Sequence, residues 1–200
     1  IPVDIDVTPM DNSKSKKEGV SRTYKGFDGY APMMAYIGTE GYAINFELRE
    51  GKQHCQNGTV EFLQETVELC RRLTDKPLLV RLDSGNDSID NVAVLIDAGC
   101  FFIIKRNLRR ESRDGRFEMA KQYCQDISSP RDGKTVYIGS DWKTASSKRF
   151  NRDFTLRAGY EITERAIDKY GQFNLIPEVE VETWWTNLGD PDREIIKLYH

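Results

Sequence analysis

Two acids in this chain of 200 residues stand where chemistry is commonly done. Asp83 ends the run Leu78, Leu79, Val80, Arg81, Leu82 and is followed by the turn residues Ser84, Gly85, Asn86 and Asp87. Asp6 lies at the end of an alternating stretch in which Ile1, Val3, Ile5 and Val7 oppose Pro2, Asp4 and Asp6. In open α/β sheets ligands gather at the carboxyl ends of strands. If the two strands are neighbours in one sheet, the carboxylates converge. Carboxylates suit Mg²⁺, which takes oxygen ligands, keeps several waters and completes its shell with substrate phosphates. Two such ions would activate a water or a 3′-hydroxyl and stabilise the leaving oxygen of a phosphodiester. The plainer reading makes Asp83 a turn cap and Asp6 a solvated strand residue. Asp4 shares the face of Asp6 and competes with it as ligand; Asp6 is preferred because it is nearer the turn.

Two basic stretches flank this pair in sequence order. One holds Lys14, Lys16, Lys17, Arg22 and Lys25; the other holds Lys105, Arg106, Arg109 and Arg110, followed by Arg113 and Arg116. Each is either a phosphate-holding patch or a solvated surface. His54 sits in a polar loop and reads as a surface histidine. Cys55, Cys70, Cys100 and Cys124 form no C-x-x-C pair and have no zinc-like histidine spacing, so they read as buried or incidental thiols. Trp184 and Trp185 are candidates for stacking on bases, but packing within their own sheet is the preferred reading.

The elements that must position these residues follow from periodicity. After the first strand, residues 11–25 read as a mobile basic loop. Residues 30–37 and 42–49 form a hairpin around the Gly38–Gly41 turn, with Tyr42, Ile44, Phe46 and Leu48 on one face and Ala43, Asn45, Glu47 and Arg49 on the other. Thr59 caps a helix whose stripe is Phe62, Leu63, Val67, Leu69, Cys70 and Leu73. The Asp83 strand comes next. A helix over Ile89 to Ala98 follows, capped by Asp87 or Ser88 and ended by Gly99, and then the strand Cys100 to Ile104. The order β-β-β-α-β-α-β makes a mixed sheet covered by helices. From Asn107 the chain turns β-rich, with strands at 134–142, 154–165 and 177–186. Asp190-Pro191 then opens a last helix carrying Ile195, Ile196, Leu198 and Tyr199. The expected division is therefore 1–106 core, 107–188 β-rich insertion and 189–200 the start of a further core helix.

With 38% apolar and 30% charged residues the chain can bury a core. Its net charge of −3 does not advertise nucleic-acid binding, so local patches carry any such role. No run approaches the roughly 18 apolar residues of a membrane helix, and no signal peptide is visible; a cytoplasmic location is expected. The chain begins Ile1-Pro2 and ends within an apparent helix, the pattern expected of a piece of a longer protein.

Five motifs in series resemble a known family: Asp4-Ile5-Asp6-Val7-Thr8, Tyr24-Lys25-Gly26-Phe27-Asp28-Gly29-Tyr30-Ala31-Pro32, Leu48-Arg49-Glu50-Gly51, Val80-Arg81-Leu82-Asp83-Ser84-Gly85 and Phe102-Ile103-Ile104-Lys105-Arg106-Asn107. Together they resemble DDE-type insertion-sequence transposases, with the insertion sequence 1380 family the nearest in pattern. The resemblance implies a ribonuclease-H-like core, interrupted by a β-rich insertion before its last catalytic helix. It places the first two catalytic acids on Asp6 and Asp83, binding two Mg²⁺ (with Mn²⁺ as substitute). It implies DNA partners, namely the element's terminal inverted repeats and target DNA, with a homodimer in the synaptic complex and a bacterial, nucleoid-associated location. The family's third acid is a glutamate downstream of a tyrosine that Tyr199 resembles. That glutamate would lie beyond His200, so these residues alone are expected to bind metal weakly and not to cut or join DNA. Glu194 precedes Tyr199 and is a poor substitute. The alternatives are another ribonuclease-H-like nuclease and a non-catalytic, domesticated DNA-binding protein.

Overall fold

Strand β1 (Pro2–Val7) shows how the alternation resolves: Val3, Ile5 and Val7 are buried, while Asp4 and Asp6 look outward from the other face. The computed structural model describes residues 1–168 and 170–200. It divides into two units, Ile1–Ile104 with Ser146–Arg152, and Lys105–Ala145 with Asp153–His200.

In the first unit β1 is followed by β2 (Met10–Asp11), β3 (Ser21–Arg22), β4 (Asp28–Tyr30), β5 (Met33–Ile37), β6 (Tyr42–Glu47), α1 (Thr59–Leu73), β7 (Leu79–Leu82), α2 (Ile89–Asp97) and β8 (Phe101–Lys105). The main strands lie in the order β6-β5-β1-β7-β8. β5 runs antiparallel to β1 and β6, and β7 runs parallel to β1 and β8. Helices α1 and α2 make the two crossovers, which a parallel pair requires. This is a mixed α/β sheet with helices against it, as the ribonuclease-H-like expectation demands. The core is Val3, Ile5, Leu78, Val80, Leu82, Phe102, Ile103 and Ile104 from the strands, against Phe62, Leu63, Val67 and Cys70 of α1 and Val92, Ala93 and Leu95 of α2. Ser88 Oγ caps α2 by accepting from Asp90 N at 3.2 Å. Thr59 is not the cap of α1 but its first residue; Gly58 holds the cap position with φ 78°.

One expectation changes here, and the solvated face of β6 is assigned. The basic stretch 11–25 is not simply a loop: β2 and β3 flank β4 in a small antiparallel sheet of order β2-β4-β3. On β6 the apolar face is the solvated one. Phe46 and Leu48 are 52% and 57% exposed, whereas Arg49, just past the strand, is only 2% exposed. Hydrogen bonding decides this. Asn45 Nδ2 donates to Thr66 Oγ1 and Glu65 Oε2 of α1, at 3.1 and 3.2 Å. The Arg49 guanidinium donates to Cys55 O and Glu47 and lies over the Phe62 ring.

The turn Ser146–Arg152 belongs to this unit. It is held by Ser147 Oγ on Asp90 (2.5 Å), Arg149 on Glu61 (2.6 Å) and Arg152 on Asp97 (2.7 Å).

The second unit contains α3 (Arg113–Tyr123), β9 (Asp126–Arg131), most of β10 (Lys134–Ser147) and β11 (Arg152–Ile167), β12 (Phe173–Thr186) and α4 (Asp192–Tyr199). The strands lie in the order β12-β11-β10-β9. They are longer than periodicity suggested: the added end of β10, residues 143–147, is polar apart from Ala145 and shows no apolar alternation, and the added start of β12, Phe173 to Ile176, is largely exposed. Helix α3 was not legible: only Phe117 and Ala120 on it are buried. These two pack with Tyr137 and Ile162. Trp184 and Trp185 are core residues, as preferred, at 1% and 6% exposed. α4 begins after Pro191, which is extended (φ −56°, ψ 144°), so Asp190 does not cap it.

Candidate functional site

The register of β1 against β7 settles whether the two acids meet. Asp4 stands opposite Arg81 and Ile5 opposite Leu82. One step further along two parallel strands brings Asp6 beside Asp83, on the face that Asp4 and Arg81 share. The same register removes the competitor. Arg81 Nε and Nη2 donate to Asp4 Oδ1 and Oδ2 at 2.5 and 2.6 Å, a two-pronged pair that engages both oxygens. Asp6 is held more lightly, Val7 N donating to its Oδ1 at 2.7 Å. Asp83 does not cap the turn after it. Its Oδ1 accepts from Asn86 Nδ2 at 2.8 Å, and buried Asn86 is itself fixed by Asn91 Nδ2 on its carbonyl at 2.9 Å.

The electrostatics follow from this proximity. The Asp6 carboxyl is pushed above its ordinary value, first by burial and further by the Asp83 charge, against the Val7 N–H and Lys25. Tyr24 is pushed up by burial, then by Asp6, Asp83 and Cys55. Cys55 is pushed up by burial and by Asp83. These groups line one cleft of about 560 Å³, together with Arg22, Thr23, Gly51, Lys52, Gln53, His54, Ser84 and Gly85.

The family described as transposase DDE domain group 1 matches residues 1–159. The chain belongs to this transposase family. Among solved structures, a piggyBac transposase synaptic complex with hairpin DNA is similar at 12% identity, with a TM-score of 0.46, over 95% of this chain and 34% of that one. The chain thus spans about a third of that protein's length. No curated protein matches the sequence.

In this DDE domain two site residues escaped sequence reasoning as members of the site: Tyr24 and Cys55. Tyr24 lies on the turn between β3 and β4, closed by Thr23 N on Phe27 O (2.8 Å) and Gly26 N on Thr23 O (3.0 Å). Gly26 takes φ 86°, which favours glycine. Cys55 Sγ donates to Gly85 O at 2.9 Å, and its carbonyl accepts from buried Arg49 at 3.0 Å. Arg49 thereby fixes the 50–58 loop against the Asp83 turn. The signal was the Tyr24-Lys25-Gly26 turn, read as part of a mobile loop.

The basic residues divide. Lys25 acts on Asp6. Arg22 lines the cleft but is paired with Asp28 at 3.3 Å. Lys14, Lys16 and Lys17 are exposed on the loop between β2 and β3. In the second unit Lys105 is paired with Glu182. Arg106 is buried, lies 4.2 Å over Trp185 and is paired with Glu111. The charge of each is met by an acid of that unit. Arg109 and Arg110 are exposed.

The residues present fit a divalent cation. Two like-charged carboxylates in mutual electrostatic contact offer hard oxygen donors and gain from a counter-charge. DDE domains generally work with divalent metal ions. Among the described residues no group of three or more His, Cys, Asp or Glu is arranged to hold one. Glu194 lies in the second unit, paired with Lys197 at 2.8 Å. Among the described residues no helix is long and apolar enough to cross a membrane.

Proposed function

We propose that this chain is the catalytic part of an insertion-sequence transposase of the insertion sequence 1380 type, with Asp6 and Asp83 as the first two metal-holding acids. The observation that carries the reading is the register that sets Asp6 beside Asp83 while Arg81 claims Asp4. Two Mg²⁺, held with a third acid, would polarise the scissile phosphate and activate the attacking oxygen. The chain's own part is to hold the carboxylates at two adjacent strand ends and to turn positive charge from Lys25 and the 14–22 loop toward a phosphate backbone. The DNA would be the element's terminal repeats and its target, met by two copies of the protein, in a bacterial cytoplasm beside the nucleoid. Residues 107–188 are proposed as a β-rich insertion ahead of the last core helix, which 189–200 begin.

Titration with Mn²⁺ followed by electron paramagnetic resonance tests the pair. Asp6→Asn and Asp83→Asn should each weaken Mn²⁺ binding at least tenfold, and Asp4→Asn less than threefold. Equal loss from all three, or none from Asp83→Asn, would remove the assignment. In the full-length transposase Asp83→Asn should abolish both strand cleavage and joining with an unchanged melting temperature.

A further inference from the structure

Tyr24 is placed in this site for a reason that packing does not supply. Its side chain is 69% exposed, so burial contributes little to stability. Yet its turn is built firmly. Thr23 is buried, and both its N–H and its hydroxyl donate to Phe27 O at 2.8 Å. The Tyr24 hydroxyl is directed at the end of β1, where its contact to Val7 O is 3.5 Å, the outer limit of a hydrogen bond. The donor therefore lies at the end of β1, in the cleft that Asp6 and Asp83 also line, and this long contact is a weak acceptor for it. Lys25 Nζ lies 5.4 Å from the centre of its ring.

Two carboxylates repel a phosphate. A substrate phosphodiester seated over them needs neutral or positive donors on its far side. Within the cleft Arg22 already faces Asp28 and Lys52 faces Glu50, Cys55 is turned to Gly85 O, and His54 Nδ1 accepts from Gln56 N at 3.2 Å. Resting on the two-acid reading above, we propose that the Tyr24 hydroxyl orients the substrate by donating to a non-bridging oxygen of the phosphodiester, with Lys25 supplying the adjacent charge. A tyrosine donor adds no charge of its own, so it holds the phosphate without weakening the acids' hold on a cation.

The test uses the 200-residue chain loaded with Mn²⁺ and the dinucleotide thymidylyl-thymidine, a minimal phosphodiester. The paramagnetic enhancement of its ³¹P relaxation reports binding near the ion and needs no cleavage. Tyr24→Phe keeps the ring and should lower the dinucleotide's affinity three- to tenfold, with Mn²⁺ affinity unchanged. In the methylphosphonate analogue, where a methyl replaces a non-bridging oxygen, the penalty of Tyr24→Phe should shrink to less than twofold. Wild-type affinity in Tyr24→Phe, with the enhancement still lost in Asp83→Asn, overturns the Tyr24 assignment and leaves the acid pair standing. A penalty undiminished in the methylphosphonate assigns Tyr24 a merely structural role and also overturns it. No enhancement in the wild-type chain, or one that survives Asp83→Asn, removes the two-acid reading and this proposal with it.

Discussion

Asp4 and Asp6 are two residues apart on one face of β1, yet they meet opposite partners. Asp4 is neutralised by Arg81; Asp6 faces a like charge. Because the folded pKa of Asp6 is raised, the folded state binds more protons than the unfolded one above the ordinary aspartate range. Stability is then lost as pH rises through that window, and the cost is fully present at neutral pH. Asp6→Asn should therefore raise the melting temperature of the chelator-treated chain at pH 7 by a few degrees at most, and the gain should vanish near pH 3. Asp4→Asn removes one partner of the Arg81 pair and should cost about 1 kcal/mol at pH 7, since the pair is only part-buried. Thermal melts of Asp6→Asn at the two pH values and of Asp4→Asn at pH 7 check this; a destabilised Asp6→Asn would contradict the like-charge account.

At the scale of elements, the small sheet β2-β4-β3 is the device that brings Tyr24 and Lys25 to the acids. Its tightest point is Gly29 in β4, where an added Cβ would come within 1.9 Å of Met10 O. Gly29→Ala has no flexible side chain to push aside, so the β2–β4 pairing must open, at a cost of roughly 1–3 kcal/mol. Amide exchange should show it. Protection should fall at Asn12 and Thr23, whose N–H groups bond to Asp28 O and Phe27 O. It should persist at Val80 and Ile103 in the core strands. Unchanged protection at Asn12 would show that β2–β4 pairing is not limited by this contact. The β6 hairpin carries the complementary lesson. An edge strand's alternation identifies two faces, but Asn45 bonding to Thr66 of α1, with Arg49 bonding to Cys55 O and to Thr59 of α1, decides which face turns inward.

Across the molecule, acid sensitivity concentrates in the second unit. Burial of the Glu111 carboxyl pushes its pKa up, and hydrogen bonds from Arg106, Arg116 and Lys143 more than offset this, bringing it to about 2. A depressed carboxylate pKa contributes stability that is present above the unfolded value and lost as pH falls through the folded one. The loss should fall between about pH 4.5 and pH 2 and amount to no more than about 3 kcal/mol. Urea unfolding of wild type and Glu111→Gln at pH 7 and pH 2.5 checks this. The variant should be less stable at pH 7, and the gap should narrow sharply at pH 2.5. A gap independent of pH would show that the ionised carboxylate is not its source.

The sequence by itself determined the order of elements in the first unit, the acids at two strand ends and, through five motifs in series, the transposase family. Period-two alternation and helical stripes are local properties of burial, readable wherever one face meets a core. The sequence did not carry α3, whose buried face is just Phe117 and Ala120, nor the full lengths of β10 and β12, where the added end of β10 is polar and the added start of β12 is largely exposed. Only the tertiary structure showed Asp4 to be engaged, because its partner is an arginine 77 positions away. It alone placed Tyr24 and Cys55 at the acids and withdrew Lys105 and Arg106 into internal pairs. Proximity between residues distant in the chain comes from strand register and loop closure, and no local pattern in a single sequence encodes either one.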